Sequence, residues 1–212
     1  QVIGFVIEDG CSGVSAGNYG GGGVRMADCV ISNCVIRNCY GSTGGGVRGS
    51  GTVYSCVITN NTTTSSGAGI YASGTLKCYD CTISGNVAQG SAGGVYGPAM
   101  LSHCTIACNQ QWTNSSNGGG GGVFLTADGQ YVVDCTITGN VARSYGGGIY
   151  AKNLAAFVAR DRNHPCVFVW SMGNEIPSGG GFAPGHLFDP RSDANEGWYV
   201  VRDVPFSNVW WY

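Results

Sequence analysis

The sequence predicts an all-β fold, a right-handed parallel β-helix solenoid of about six coils, followed by a short helix-strand passage and an irregular C-terminal tail. Three observations predict it. A Gly-rich approach to an aliphatic residue recurs at Val24, Val47, Ile70, Val95, Val123 and Ile149, in steps of 23, 23, 25, 28 and 26 residues, and a regular period of this size signals stacked units. Between these points runs Cys-x-Ile-x-x-Asn, as CVITNN (Cys56 to Asn61), CTISGN (Cys81 to Asn86), CTIACN (Cys104 to Asn109) and CTITGN (Cys135 to Asn140), with CVIRNC (Cys34 to Cys39) a near match. Finally, the composition breaks near residue 152: before it lie 32 of the 38 Gly and 10 of the 11 Cys, after it five of the six Pro and four of the five Trp.

The elements follow in order along one repeat. Cys and Ile two apart point to the same side of a strand, and the Thr or Val between them to the other. A strand this short cannot bury its apolar side alone, so the repeats stack, each coil adding about 4.8 Å by parallel pairing. Parallel crossovers are right-handed almost without exception, which gives the expected hand. The Cys column (Cys34, Cys56, Cys81, Cys104, Cys135) is expected in the interior as small hydrophobes, since its spacing matches no zinc signature; neither metal nor cofactor is expected. Strand alternation sets the thiols of Cys78 and Cys81 on opposite sides. The Asn column (Asn61, Asn86, Asn109, Asn140) falls where the strand turns, where Asn tolerates the left-handed conformation and can bond its equivalent one coil away.

One column faces outward. The residue after each Gly-motif aliphatic is Arg25, Arg48, Tyr71, Tyr96, Phe124 and Tyr150, a stripe that turns aromatic over four coils. Rings repeating every ~4.8 Å either stack on sugars or a partner surface, or stack on each other and shield the sheet. The net charge of -2 argues against nucleic acid and acidic membrane surfaces, and no apolar run is long enough to span a bilayer. A start at Gln1 without a leader reads as a processed or truncated product.

Over about residues 1–150 these repeats resemble the right-handed β-helix repeats of bacterial surface and secreted proteins, including polymorphic outer membrane proteins, with Cys-x-Ile in place of Phe. The resemblance implies an extracellular or cell-surface location, and the aromatic stripe offers polysaccharide or a surface partner as the expected contact.

The second grammar is different. LAAFVARDRN (154–163) has helical spacing and stops at His164-Pro165, CVFVW (166–170) reads as a buried strand, and SMGNE delivers a carboxylate at its C-terminal end. In a (β/α)8 barrel catalytic groups sit there. Arg160, Asp161, Arg162, Asn163, His164, Pro165, Trp170, Ser171, Gly173, Asn174 and Glu175 resemble the signature of glycoside hydrolase family 2, the β-galactosidase, β-glucuronidase and β-mannosidase group, with Cys166 in place of Ser. The resemblance implies Glu175 as general acid/base of a retaining mechanism and Asn174 on the sugar 2-hydroxyl. Such a mechanism needs a second carboxylate about 5 to 5.5 Å away, and the acids after Glu175 lie in a Gly/Pro-broken stretch. The expected organisation is therefore a β-helix over 1–152, a family 2-like fragment over 153–177 and an aromatic-rich tail over 178–212. The expected function is a structural or binding module in a truncated or chimeric chain, with a retaining glycosidase as the alternative.

Overall fold

The computed structural model describes residues 1–13, 20–113, 118–127 and 129–151. The helix and strand expected over 154–177, the tail, and with them Asn174 and Glu175 lie outside the described residues.

The described chain is all-β and winds into a solenoid of stacked parallel strands. Each coil contributes to three sheets. The first joins Val2–Ile3, Val24–Ser32, Val47–Tyr54, Ile70–Tyr79, Val95–Gly97, Val123–Leu125 and Ile149–Ala151, with Ala99–Ser102 and Tyr131–Val133 beside them. The second stacks Val6–Glu8, Val35–Arg37, Val57–Thr59, Thr82–Ser84, Thr105–Ala107 and Thr136–Thr138. The third stacks Tyr40–Gly41, Thr62–Thr63, Val87–Ala88, Gln110–Gln111 and Val141–Ala142.

Register is fixed by identical residues meeting. Ile36, Ile58, Ile83, Ile106 and Ile137 pair in one line, and the first four are fully buried. A one-residue slip would turn this whole line to solvent, so the core itself sets the pairing. Val47, Ile70, Val95 and Val123, the aliphatics of the Gly motif, close the core from the opposite sheet.

Two corners per coil are each made by a single left-handed residue. Between the first and second sheets these are Asn33, Ser55, Asp80, His103 and Asp134, with φ of 51, 49, 54, 54 and 51°. Between the second and third they are Asn38, Asn60, Gly85, Cys108 and Gly139, with φ of 54, 55, 64, 54 and 62°. The left-handed position is therefore the residue before each ladder Asn, a correction to the sequence reading. Asn61, Asn86 and Asn109 themselves point inward and are fully buried.

Their amides are satisfied by the neighbouring coils. The Asn86 Oδ1 accepts from the Asn61 backbone N–H at 2.9 Å and from Asn61 Nδ2 at 3.0 Å, while Asn86 Nδ2 donates to Asn109 Oδ1 at 2.9 Å and to the Ile58 carbonyl at 3.0 Å. Asn109 repeats the pattern with Asn140, and Cys39 takes the Asn position at the start of the ladder, its N–H donating to Asn61 Oδ1. The Gly motif exists because this ladder runs close by. A Cβ on Gly69 would lie 2.7 Å from the Gly94 carbonyl oxygen, 2.9 Å from Ile83 Cγ2 and 3.0 Å from Asn86 Nδ2.

The corners also overturn one thiol assignment. Cys78 and Cys81 are both buried, not on opposite sides, because the left-handed Asp80 between them resets the alternation. Period-2 reasoning holds within a strand and fails across a corner residue of positive φ.

Candidate functional site

The outer column of the first sheet is built by register alone. Arg25, Arg48, Tyr71, Tyr96, Phe124 and Tyr150 pair in succession, each one residue beyond a buried or partly buried aliphatic and thus on the other side of the strand. Tyr71 and Tyr96 stack with centroids 5.1 Å apart and planes at 22°. Tyr96 meets Phe124 edge to face at 5.1 Å, and Phe124 meets Tyr150 at 4.7 Å and 75°.

The six residues differ in access. Arg25 is exposed, Arg48, Tyr71, Tyr96 and Tyr150 are half-buried, and Phe124 is only 3% exposed. Phe124 faces away from the core yet is covered by the rings on either side, so the expectation that it presents a surface is corrected. Near-parallel rings this close must overlap, so Tyr71 and Tyr96 present ring edges and phenol hydroxyls more than open faces. Burial, and then the neighbouring Tyr71, raises the Tyr96 phenol above its ordinary pKa.

Two members of the cluster are not in the aromatic run. The Arg48 guanidinium carbon lies 5.4 Å from the Tyr71 ring centroid, a cation-π contact that the shared column makes legible. Tyr145 stacks on Tyr150 at 5.7 Å from the corner that leads from Val141–Ala142 into the strand Ile149–Ala151, a contact that strand alternation does not announce. A separate exposed pair, Arg143 over Trp112 at 4.5 Å, lies just past the third-sheet strands Gln110–Gln111 and Val141–Ala142.

No paired carboxylates emerge among the described residues. Glu8 is held by Arg37 at 2.6 Å, Asp28 accepts from Ser50 at 2.7 Å, and Asp134 lies 3.6 Å from His103 Nε2. Ser102 Oγ is 2.8 Å from His103 Nδ1, the nitrogen that a Ser-His-Asp triad gives to its carboxylate, so this trio has the wrong connectivity for that chemistry. Among the described residues no group of three or more His, Cys, Asp or Glu is placed to hold a metal ion. The Cys column lies inside: Cys34, Cys56, Cys81 and Cys104 are 1% exposed and all five of its thiols are free, Cys135 being half-buried. Burial keeps the Cys78 thiol well above its ordinary pKa, and contact with the Cys104 and Cys56 thiols, then burial, does the same for Cys81.

Two coils match a known repeat. Residues 55–73 and 134–152 fit the Chlamydia polymorphic membrane protein repeat. Residues 148–187 fit the family described as glycosyl hydrolases family 2, TIM barrel domain. The chain is also similar to a β-galactosidase of Pectobacterium atrosepticum, 54% identical over 26 residues, which is 12% of this chain and 2% of that enzyme. No solved structure matches the chain. The chain thus joins a β-solenoid carrying these repeats to a short stretch similar to family 2. The two matches overlap at 148–152, and there the backbone decides: Ile149, Tyr150 and Ala151 pair with Val123, Phe124 and Leu125 and belong to the solenoid.

Proposed function

We propose that this chain is a β-helix structural and binding module of a secreted or cell-surface protein, with Tyr71, Tyr96 and Tyr150 as its contact for a polysaccharide or surface partner. The in-register tyrosine stripe supports the reading. It lies outside the core, repeats at the coil spacing, and is braced by the buried Phe124, which stands between Tyr96 and Tyr150 in the same column. The repeat match supports the location, since that repeat is named for a membrane protein. The solenoid makes such a stripe rigid, so little ordering entropy is lost on contact. The expected measurement is weaker retention of Tyr71→Ala/Tyr96→Ala on immobilised polysaccharides under conditions where circular dichroism shows the variant folded. Equal retention of variant and parent on every surface that holds the parent ends the idea of a platform.

The family 2 match favours one further reading, a retaining glycosidase in which Glu175 is the general acid/base and Asn174 holds the sugar 2-hydroxyl. A partly desolvated Glu keeps its proton near neutral pH and passes it to the leaving oxygen. That reading requires turnover of aryl β-glycosides that disappears in Glu175→Gln.

A further inference from the structure

We infer that the ligand of the tyrosine stripe is an acidic polysaccharide, its carboxylate or sulfate groups met by Arg25, Arg48 and Lys77 on the same sheet face. The inference rests on the reading of that stripe as a carbohydrate contact and adds the charge of the sugar.

Three positive side chains share the face. Arg25 and Arg48 are register partners at the start of the tyrosine column, and Arg48 pairs in turn with Tyr71. Lys77 lies on the same strand as Tyr71, Ile70–Tyr79, between the fully buried Leu76 and Cys78, so it projects outward as that ring does. Arg25 and Lys77 are exposed, and neither has an ion-pair partner among the described residues. The Arg48 guanidinium is held over the Tyr71 ring, which fixes a cation where the aromatic run begins.

Acids avoid this face. Among the described residues Glu8 lies on the second sheet against Arg37, Asp9, Asp80 and Asp134 stand at left-handed corners, and only Asp28 falls within a strand of the first sheet. It sits at the bulge beyond Met26, where its carboxylate accepts from Ser50. The chain as a whole carries a net charge of -2, so a sheet with three cations and one acid on its strands runs against the average. The Arg25 and Arg48 pairing is unfavourable by itself, because like charges in register repel. An anion seated across the two guanidinium groups replaces that repulsion with two charge-assisted contacts.

The rings select sugar over nucleic acid, the other common polyanion. Bases need open ring faces on which to stack. Tyr71 and Tyr96 overlap each other at 5.1 Å and 22°, and Phe124 meets Tyr96 at 89°, so the stripe offers edges and phenol hydroxyls instead. A row of groups that both donate and accept suits a chain of sugar hydroxyls.

The test passes the full chain over two matched pairs of immobilised polysaccharide, polygalacturonate with its methyl ester and dextran sulfate with dextran. Each pair keeps the backbone and removes the charge. Retention is expected on at least one acidic member and not on its neutral partner, falling as salt is raised, and the acid that retains the chain names the anion. Arg25→Gln/Lys77→Gln, at two exposed sites and with circular dichroism unchanged, should weaken that retention about fivefold. Asp28→Asn, whose side-chain oxygen still accepts from Ser50, should strengthen it about twofold. Equal retention within both pairs, no retention on any of the four, or charge variants retained like the parent overturns the inference. So does stronger displacement by oligothymidylate than by the soluble acidic polysaccharide at equal charge. The platform reading fails separately, when Tyr71→Ala/Tyr96→Ala is retained as well as the parent on every surface that holds it.

Discussion

The column Cys39, Asn61, Asn86, Asn109, Asn140 and the column Arg25, Arg48, Tyr71, Tyr96, Phe124, Tyr150 climb the same coils, and only the first keeps one residue type beyond its opening member. Inside, the neighbour of each Asn is its own copy, and every amide must find donors and acceptors at one fixed place. A coil that changed its residue there would strand partners on both sides, because water cannot reach them. Outside, solvent satisfies what a neighbour does not, and the column passes from Arg to Tyr to Phe without breaking the stack. Uniformity thus marks where coils depend on each other, and variation marks where the surface is free to acquire a role.

The comparison breaks most sharply at Asn86. Asn86→Ala removes the acceptor of two Asn61 donors and the donor to the Asn109 amide and the Ile58 carbonyl, all buried. A loss of about 4 kcal/mol is expected in urea unfolding, from two or more stranded groups at ~1–3 kcal/mol each. Asn140→Ala, at the half-buried end of the ladder, should cost about half as much, and equal losses at the two sites would contradict a burial-dependent ladder.

Phe124 tests the outer column, since it is the one member without solvent access. Phe124→Ala should cost about 3 kcal/mol, a core-like value for an aromatic deletion, although the ring lies outside the core. A loss under about 1 kcal/mol in the same unfolding measurement would mean that Tyr96 and Tyr150 close over the gap.

The smallest effect concerns charge. Because the fold raises the Tyr96 pKa, it favours the neutral phenol. This contribution is complete below the unfolded value, ~10, and is lost as pH rises through the folded value. Tyr96→Phe should therefore flatten the fall in melting temperature above pH about 10, and a parallel decline in parent and variant would remove Tyr96 as a cause.

Much of this was open to reading from the chain alone. The repeat spacing, the inward Cys-x-Ile pair and the outward aromatic stripe all follow from the two-residue alternation of a strand, a local property that neighbouring coils only confirm. The sequence by itself determined the solenoid, its in-register columns and a resemblance to family 2 around Asn174 and Glu175. Tertiary structure alone decided the rest. Asp80 turning left-handed brought Cys78 and Cys81 to the same side, Tyr145 came to Tyr150 from another corner, and Phe124 was covered by rings from the coils before and after it. Each of these depends on a residue's neighbours in the stack, and such contacts are set by coil closure and register, which alternation along a single strand does not encode.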